Sequence, residues 1–441
     1  MTHVTHLLAA GQSNEGFIRV AQPAEDESMS TARGSCRFCG TSLRHTFVDL
    51  GAQPLANRYL EPDELAAMEP FFPLHLFVCE RCLLVQIEEI VSPAEVFSDY
   101  AYFSSYSESW LAHARAYAGM AIERFELTAS AQVVEVASND GYLLQYFSER
   151  GIPVLGIEPA ANVAQVAEAR GIRTLVRFFG TQVARELAAG GMRADLLIGN
   201  NVLAHVPDLN DFVTGLKLAL APRGVISLEF PHLMRLMAET QFDTIYHEHF
   251  SYFSFATVAE VFEFHGLPIF DVEELPTHGG SLRIFAQHLE TGTRSRVPRV
   301  PELLERERAA GLRTLETYLA FGERVKRVKR QLLTFLVAMK DAGKSIVGYG
   351  AAAKGNTLLN YCGIGPDFLD YVVDRSPHKQ GRYLPGTHIP IVAPERMRET
   401  RPDVVLILPW NLRDEIMEQV AYVREWGGRF AVPIPQPEMV A

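Results

Sequence analysis

Four of the five cysteines stand in two Cys-x-x-Cys pairs, and these pairs constrain the fold more than any other feature of the chain. The four are Cys36, Cys39, Cys79 and Cys82. Forty residues separate the two pairs, yet together they supply the four thiolates of a tetrahedral zinc site, each about 2.3 Å from the metal. Gly40 follows the first pair, where a tight turn must direct two sulfurs at one ion. The pattern predicts a small zinc-binding domain over residues 34–95.

Redox-active dithiols and unrelated thiols are the alternative interpretations of these cysteines. A zinc ion with four protein ligands has no open position, so we expect the metal to be structural and to take no part in the chemistry. Paired cysteines of this kind are typical of a reducing compartment, where disulfides are rare. We therefore expect a cytoplasmic protein.

Length and charge limit the remaining classes. The 441 residues allow two to four domains, at roughly 100–200 residues per domain. A formal net charge of −12 argues against nonspecific binding to nucleic acid or to an anionic membrane. Apolar runs stay far below the ~18 residues of a membrane span. Residues 1–33 are polar and lack the charged start, the apolar block and the small-residue cleavage site of a signal peptide. We predict that they form a disordered leader.

Short apolar strands alternate with helical patterns between residues 132 and 230. The first strand, 132–136, runs into a turn that carries only Gly141, where three glycines are common. The second strand ends at Glu158, an acid placed to accept the two ribose hydroxyls of a nucleoside. The turn alone is a weak signal, but the alternation predicts a doubly wound parallel sheet with its pocket at the carboxyl ends of the strands.

A hairpin is predicted at the end of this unit, from strands 269–275 and 281–286 across His278-Gly279-Gly280. An antiparallel pair that closes such a sheet resembles the class I methyltransferase fold, which binds S-adenosylmethionine. We assign residues 96–290 to this methyltransferase domain. The predicted fold class is therefore α/β, with a doubly wound sheet that follows the zinc-binding domain.

A second nucleotide-type unit follows a helical connection over residues 291–342, in which 301–340 reads as one or two amphipathic helices. The sequence Gly348-x-Gly350-x-x-Ala353, with Asp374 after the next strand, fits the dinucleotide fingerprint better than the first unit does. Amides at this helix start suit a diphosphate, although the turn could also serve only helix–sheet packing. We predict a C-terminal Rossmann-like domain over residues 343–441 that helps to bind a sugar nucleotide.

Two aromatic and polar stretches carry the remaining functional signal. Residues 246–252 place two imidazoles, a carboxylate and two phenols within seven positions, a high density of proton-transfer groups. The histidines are two residues apart rather than four, which excludes a helix that binds zinc through two histidines on one face. A polar surface loop without a catalytic role would have a similar composition. Residues 100–107 are mostly tyrosines and serines, and they suit either an interdomain contact or a lid.

In this order, the cysteine pairs and five further stretches resemble the zinc-containing sugar C-methyltransferases of deoxysugar biosynthesis. The stretches are 135–141, 200–205, 246–252, 278–281 and 348–356. The resemblance covers about residues 34–436. Members methylate C3, and some C5, of a nucleotide-linked 4-keto-6-deoxysugar, usually carried on thymidine diphosphate. It implies S-adenosylmethionine, structural Zn²⁺, a small-molecule nucleotide sugar, and neither nucleic acid nor membrane as partner. The oligomeric state is open, a monomer included.

The resemblance also implies catalytic roles. By it, His249 is the base that removes the hydrogen next to the ketone, and a neutral imidazole suits that task. Glu248 would orient an imidazole or hold substrate, and Tyr246 could donate to the developing enolate oxygen. His205 is a rival base or a second donor. The residues expected to close over the sugar are Tyr100 and Tyr102.

The binding residues follow from the same resemblance. Glu158 should take the ribose of the methyl donor, and Gly141 should let the backbone approach it. Further donor-pocket candidates are Ser138, Asn139 and Asn201. The candidates for the sugar-nucleotide diphosphate are Arg283, Lys354 and the amides around Gly355.

Three other functions stay open at this point. A nicotinamide-dependent oxidoreductase could use Gly348–Ala353 and Asp374 but would leave residues 246–252 unexplained. A noncatalytic zinc adaptor or nucleic-acid-binding module is compatible with the cysteines, while the acidic balance argues against it. The same fold could also methylate oxygen or nitrogen, which needs no hydrogen next to a ketone.

Overall fold

The computed structural model describes residues 34–89, 103–106 and 108–440. The predicted leader, residues 1–33, and the two tyrosines Tyr100 and Tyr102 lie outside the described residues. The strands are β1 (His45–Gln53), β2 (Phe72–Val78), β3 (Val85–Ile87), β4 (Val133–Val136), β5 (Val154–Ile157), β6 (Thr174–Leu175), β7 (Ala194–Asn200), β8 (Leu220–Pro231), β9 (Ser251–Tyr252), β10 (Ile269–Leu275), β11 (Ser281–Ala286), β12 (Ile346–Tyr349), β13 (Val372–Val373), β14 (Ile391–Val392), β15 (Val404–Ile407), β16 (Arg429–Val432) and β17 (Glu438–Val440).

Thirteen α-helices accompany these strands within the described residues. They are α1 (Glu108–Arg124), α2 (Leu144–Ser148), α3 (Ala161–Ala169), α4 (Thr181–Ala189), α5 (Leu209–Ala219), α6 (Leu233–Ala238), α7 (Phe255–Phe264), α8 (Arg299–Ala309), α9 (Leu315–Leu319), α10 (Phe321–Asp341), α11 (Ala353–Cys362), α12 (Arg396–Thr400) and α13 (Arg413–Gln419). In the described ranges, no helix combines the length and the apolar character that crossing a membrane requires.

The first sheet is small and antiparallel, in the order β1-β2-β3-β9. Its fourth strand does not come from the zinc-binding region at all. Tyr252 pairs with Val85 and Ser251 with Gln86. The end of residues 246–252, called the catalytic stretch below after its predicted role, is therefore a strand of this sheet. The zinc-binding region and the catalytic stretch are therefore joined by backbone hydrogen bonds. The predicted zinc-binding domain, which ended at residue 95, did not include this strand.

The central sheet has seven strands in the order β6-β5-β4-β7-β8-β11-β10. Strands β4 to β8 are parallel, and β11 runs antiparallel between β8 and β10. Numbered along this sheet, the order is 3-2-1-4-5-7-6, with the switch point between β4 and β7, where ligands of such sheets bind. This confirms the predicted class I methyltransferase fold and the predicted hairpin.

The C-terminal sheet has the order β14-β13-β12-β15-β16-β17, with β17 alone antiparallel. Its first five strands follow the Rossmann order 3-2-1-4-5, whose switch point lies between β12 and β15. The strand predicted over 368–373 is shorter, because only Val372 and Val373 pair with their neighbours. The Rossmann-like prediction for this part of the chain is confirmed.

The helical connection contains three helices, α8 to α10, rather than the one or two predicted. In α10 the apolar positions Val325, Val328 and Leu332 are buried, while most of the basic side chains between them are exposed. This helix packs on β1, where Phe321 stacks on Phe47 at a centroid distance of 4.5 Å. The connection therefore covers the first sheet.

The apolar cores cross the predicted domain boundaries. Buried side chains of the first sheet and of α10 share one core with the inner face of the C-terminal sheet, as Leu76, Leu332 and Leu406 illustrate. The cysteine pairs, by contrast, pack with Leu197 and other side chains of the central sheet. The zinc-binding region thus lies between the two larger sheets and is buried against both, which fixes their relation to residues 246–252.

Candidate active site

The four cysteines of the two pairs meet at one point. Their sulfurs all lie within 4.8 Å of one another, and Cys36–Cys82 and Cys39–Cys79 are each 3.5 Å apart. A tetrahedral zinc with bonds of ~2.3 Å requires sulfurs about 3.8 Å apart, so the cluster fits this metal. A zinc ion bound here would have thiolates at all four of its positions, which supports a structural role.

Each pair is a short turn closed by a backbone hydrogen bond. The amide of Gly40 donates to Cys36 (2.9 Å) with Gly40 at φ +73°, as predicted. In the second turn the amide of Leu83 donates to Cys79 (2.9 Å), and Leu83 itself adopts φ +59°. A left-handed leucine is uncommon, and the half-buried Leu83 side chain packs against the core that the first sheet shares with the C-terminal sheet.

The zinc site is attached to the segment that follows β7. Arg37 donates to the carbonyl of Pro207, and the Asn210 amide donates to the carbonyls of Arg37 (3.2 Å) and Phe38 (2.9 Å). Two residues before Pro207, the chain forms the 3-10 turn Leu203–His205. The metal therefore braces the loop that carries His205.

The turn after β4 contains most of the predicted donor-pocket residues. Ala137, Asn139 and Gly141 all have positive φ, at 55°, 49° and 77°. Two of the three left-handed positions are thus occupied by residues other than glycine, which explains why the usual fingerprint is missing. Asn139 tolerates this conformation better than Ala137, because its short polar side chain can hydrogen-bond locally.

Contacts from both sides hold this turn. The carboxylate of Glu158 accepts from the amides of Asn139 (3.0 Å) and Ala160 (2.9 Å), and burial raises the pKa of Glu158. The Asn139 side chain accepts from the amide of Ser104 (2.8 Å). Ser104 belongs to the described end of the segment 100–107, so this end lies against the turn after β4.

Several buried oxygens around the switch point of the central sheet have no hydrogen-bond partner among the described residues. They are Ser138 Oγ, Asp140 Oδ1, Asn200 Oδ1 and Asn201 Oδ1. Buried oxygens are normally paired, so this edge has the acceptors that a cationic, hydroxyl-rich ligand would satisfy. Ser138 also packs closely on the sheet, where a Cβ at Gly156 would lie 2.4 Å from its hydroxyl.

His249 is the buried centre of the catalytic stretch. Its Nδ1 lies 3.0 Å from the carbonyl oxygen of Thr244, which only accepts, so the ring proton is on Nδ1 and Nε2 keeps its lone pair. The ring lies 4.1 Å from the Tyr246 ring and 4.7 Å from that of His205. Burial, and then His205, hold the pKa of His249 well below its usual range, so the imidazole is neutral at pH 7.

His205 and Glu248 complete this cluster. Burial lowers the pKa of His205 to about 4, opposed by a hydrogen bond to the Glu248 backbone. Burial raises the pKa of Glu248 to about 7, and its carboxylate accepts from Asn57 at 2.6 Å. The structure therefore brings Tyr246, Glu248, His249 and His205 together around two neutral imidazoles.

The C-terminal sheet contributes Lys354 to the same region. Its ammonium donates to Asn411 (2.9 Å) and lies 5.0 Å from the centre of the Trp410 ring. Trp410 in turn donates to the buried carboxylate of Asp243 at 2.7 Å, and burial raises the pKa of Asp243 to about 6. Lys354 also lowers the pKa of His249, which shows that its charge faces the catalytic stretch.

The other two diphosphate candidates have structural partners. Arg283 is buried, donates to Glu229 (2.8 Å) and Glu273 (3.3 Å), and its charge is therefore already balanced. Gly355 faces Leu408, whose side chain would lie 2.9 Å from a Cβ at this position. Close helix–sheet packing thus requires Gly355, while its amide lies in the first turn of α11, where amides lack partners within the helix.

Comparison with known proteins places these features in a family. Three family models match: a zinc binding domain over residues 36–97, a methyltransferase domain over 110–271, and a C-methyltransferase C-terminal domain over 276–435. The C-methyltransferase NovU of Streptomyces niveus is 38% identical over 406 residues, which are 92% of this chain and 96% of that protein. The chain belongs to the zinc-containing, S-adenosylmethionine-dependent C-methyltransferases.

Solved methyltransferase structures resemble only part of this C-methyltransferase. Magnesium protoporphyrin IX methyltransferase of Synechocystis is 14% identical, covering 40% of this chain and 78% of its own, with a TM-score of 0.31. The 1,6-didemethyltoxoflavin-N1-methyltransferase of Burkholderia thailandensis is 16% identical, covering 46% and 94%, with a TM-score of 0.34. Similarities this low do not bear on the activity.

The structure of this C-methyltransferase adds residues to the site that sequence reasoning did not assign. Asn57 and Trp410 come from distant parts of the chain to contact Glu248 and Asp243, and Asp243 lies just before the catalytic stretch. No local pattern marks these contacts. His278 was visible in the hairpin turn, where it adopts φ +53° and lies 3.3 Å from Asn201. Burial lowers its pKa to about 4. In the sequence, a histidine followed by two glycines was the available signal.

Proposed function

We propose that this C-methyltransferase methylates C3 of a nucleotide-linked 4-keto-6-deoxysugar, with thymidine diphosphate as the expected carrier. The observation that carries the proposal is the buried, neutral His249 with its tautomer set by Thr244 and its ring beside Tyr246. Methyl transfer to carbon needs a carbon nucleophile, and a ketone makes one accessible by acidifying the adjacent C–H bond. A fixed neutral base beside a phenol donor suits that chemistry.

The residues act as follows in this proposal. Nε2 of His249 accepts the proton from the carbon next to the ketone, and the C–H electron pair becomes the enolate. Tyr246 donates a hydrogen bond to the enolate oxygen, where negative charge develops. S-adenosylmethionine, when bound, supplies the electrophilic methyl group that the enolate carbon accepts. His205 keeps the ring of His249 in a water-poor setting or acts as a second donor.

The donor pocket would lie at the switch point of the central sheet. Glu158 is placed to accept the ribose hydroxyls, since each of its oxygens has one further lone pair beyond its backbone bond. Gly141 allows close backbone approach, and the oxygens of Ser138 and Asn201 offer acceptors to a cationic ligand. Asn139 would support this edge through its contacts with Glu158 and Ser104.

Lys354 and the first-turn amides of α11 would hold the diphosphate of the sugar nucleotide. Helix N-termini and lysines are both suited to phosphate, and this end of the C-terminal sheet faces the catalytic stretch. Closure of Tyr100 and Tyr102 over the sugar stays a prediction, because both lie outside the described residues. Arg283 is a weaker candidate here, given its two carboxylate partners.

Two alternatives are tested alongside. Methylation at C5 uses the same residues with the sugar turned in the site. A nicotinamide-dependent oxidoreductase is favoured by the Rossmann order of the C-terminal sheet. Against it, Lys379 balances the charge of Asp374, whose oxygens accept the amides of Ala351 (2.9 Å) and Ser376 (2.8 Å). Among the described residues, no cation is paired with Glu158.

The test is incubation with a nucleotide-linked 4-keto-6-deoxysugar in deuterated water, with and without S-adenosylmethionine, followed by mass spectrometry and NMR. We expect a new carbon-bound methyl at C3, and deuterium at C3 when the donor is omitted. A methyl at C5 would select the first alternative. Binding of a nicotinamide cofactor, with neither exchange nor methylation across several keto sugars, would reject the proposal in favour of the oxidoreductase.

A further inference from the structure

The zinc-binding region does not only brace the active site; one of its loops enters it. Between β1 and β2 the chain leaves the zinc site, and Asn57 of this loop reaches the catalytic stretch. Its Nδ2 lies 2.6 Å from Oε1 of Glu248, a residue 191 positions away. Among the described residues, Asn57 is the one side chain that hydrogen-bonds this buried carboxylate.

Contacts on the other side hold this loop in place independently of Glu248. The Tyr59 hydroxyl donates to the carbonyl of Ala351 at 2.6 Å, in the glycine-rich turn of the C-terminal sheet. Leu60 and Tyr383 exchange backbone hydrogen bonds of 3.0 and 2.9 Å. Contacts with the C-terminal sheet therefore set the position of Asn57. The Asn57 amide does not depend on its hydrogen bond with Glu248 to be held there.

The orientation of the Asn57 amide follows from its neighbours. An ionised carboxylate only accepts hydrogen bonds, so Nδ2 must face Glu248. The carbonyl oxygen Oδ1 then points to the Tyr59 hydroxyl, at 3.4 Å. A donor at this position favours the charged form of Glu248, whereas burial opposes it.

We propose that Asn57, a residue of the zinc-binding region, is a positioning residue that keeps Glu248 ionised and fixed beside the catalytic histidines. The proposal deepens the proposed function and rests on it for its catalytic consequence. It gives the zinc site a second role in the molecule, because the metal holds together the region from which the loop extends. The chemistry itself stays with His249 and Tyr246.

The titration of Glu248 must be distinguished from those of the charged and titratable groups near it. His205 packs against it and has a pKa of about 4, and the pKa of Tyr59 is raised by burial. Lys379 lies over the Tyr59 ring. Asp243, with a pKa of about 6, titrates in the same range as Glu248, so the two carboxyl groups must be assigned separately.

The experiment follows the Glu248 carboxyl signal directly. The full-length, zinc-loaded protein is labelled with carbon-13 at the glutamate carboxyls, and the signal that disappears in Glu248→Gln is titrated by NMR from pH 5 to 9. Asn57→Ala and Asn57→Asp should raise the midpoint by about one pH unit or more, the size expected for loss of a hydrogen bond to a charged group. Asn57→Asp should shift it further, since it adds a like charge.

The kinetic measurement separates positioning from general loosening. The acid limb of the kcat/KM profile should move with the Glu248 midpoint, lowering activity at pH 7 about fivefold or more and restoring it towards pH 9. Arg58→Gln is the matched control, because Arg58 is the exposed neighbour that pairs with Glu64. It should leave the midpoint and the profile unchanged.

Two results would overturn the proposal. One is an unchanged or lowered midpoint in both Asn57 variants, and the other is a rate loss that is equal at every pH. If Asn57→Ala does not fold, Asn57→Asp and Asn57→Ser answer the same question, and Asn57→Ser should recover part of the shift by retaining a donor. If the wild type methylates no keto sugar, the proposed function fails while the NMR titration still decides the role of Asn57.

Discussion

The molecule contains two doubly wound sheets that face the same catalytic stretch, and they differ in how their first turns are built. In the C-terminal sheet the turn after β12 uses Gly350, which adopts φ +91° without the penalty that a side chain adds. In the central sheet Ala137 adopts a left-handed conformation that costs roughly 1–2 kcal/mol, and Asn139 adopts one that its short polar side chain makes easier. The better fingerprint therefore belongs to the turn that is easier to form.

The two sheets also treat the acid after the second strand differently. Asp374 holds the glycine-rich turn through Ala351 and is balanced by Lys379. Glu158 also binds backbone amides, but no cation is paired with it among the described residues, and unpartnered buried oxygens lie at the same edge. The comparison shows that a glycine fingerprint indicates how easily a turn forms. Buried polar atoms without hydrogen-bond partners are the better indication of a ligand site.

The largest effect should come from the residue between the two sheets. His249→Asn removes the base but keeps a polar side chain that can reach Thr244, so we expect kcat/KM for methylation to fall by about 10²- to 10⁴-fold. Binding of S-adenosylmethionine, measured by calorimetry, should be nearly unchanged. A fully active His249→Asn enzyme would show that the chemistry lies elsewhere and would reopen the oxidoreductase.

The next effect separates the central sheet from the C-terminal one. Glu158→Gln removes the charge that we assign to the donor ribose and should weaken S-adenosylmethionine binding by about 10²-fold, the upper range for hydrogen bonds to a charged group. The affinity for the sugar nucleotide should stay within about twofold. Equal loss of both affinities would mean that Glu158 only shapes the turn. Asp374→Asn is the matched change in the other sheet and should spare the methyl donor.

The buried carboxylate of Glu248 gives a pH-dependent stability effect. Its pKa of about 7 exceeds the usual 4.5, so the folded state keeps a proton that the unfolded state releases, and stability falls as pH rises from about 4.5 to 7. Glu248→Gln should therefore raise the free energy of unfolding by about 3 kcal/mol at pH 8 and have almost no effect at pH 4.5. Urea titrations at both pH values measure this. A stabilisation equal at both would assign it to packing.

The smallest effect concerns Lys354. Lys354→Met keeps the length of the side chain and removes its charge, so the sugar-nucleotide dissociation constant should rise about tenfold while that of S-adenosylmethionine is unchanged. Lys344→Met is the control, because Lys344 is an exposed lysine that pairs with Asp403 before β12. Weaker binding of S-adenosylmethionine in Lys354→Met would place this lysine in the donor pocket instead.

Local patterns predicted the elements of the fold with few errors. Each Cys-x-x-Cys pair is a turn of a few residues, and the alternation of strands and helices in both larger units depends on residues that are close in sequence. The errors lie where pairing decides an element: the strand over 368–373 shrank to two residues, and β9 joined a sheet that begins two hundred residues earlier. Strand pairing of that kind leaves no mark in either partner.

The sequence by itself predicted the zinc ligands and the two nucleotide-type sheets, because spacing and periodicity act within a turn or an element, and its motifs carried the family resemblance. The tertiary structure alone decided which groups meet. Asn57 reaches Glu248 across 191 positions, and Trp410 reaches Asp243 across 167. It also decided that Arg283 is already neutralised. Such contacts depend on how buried surfaces pack, and packing is a property of the whole chain.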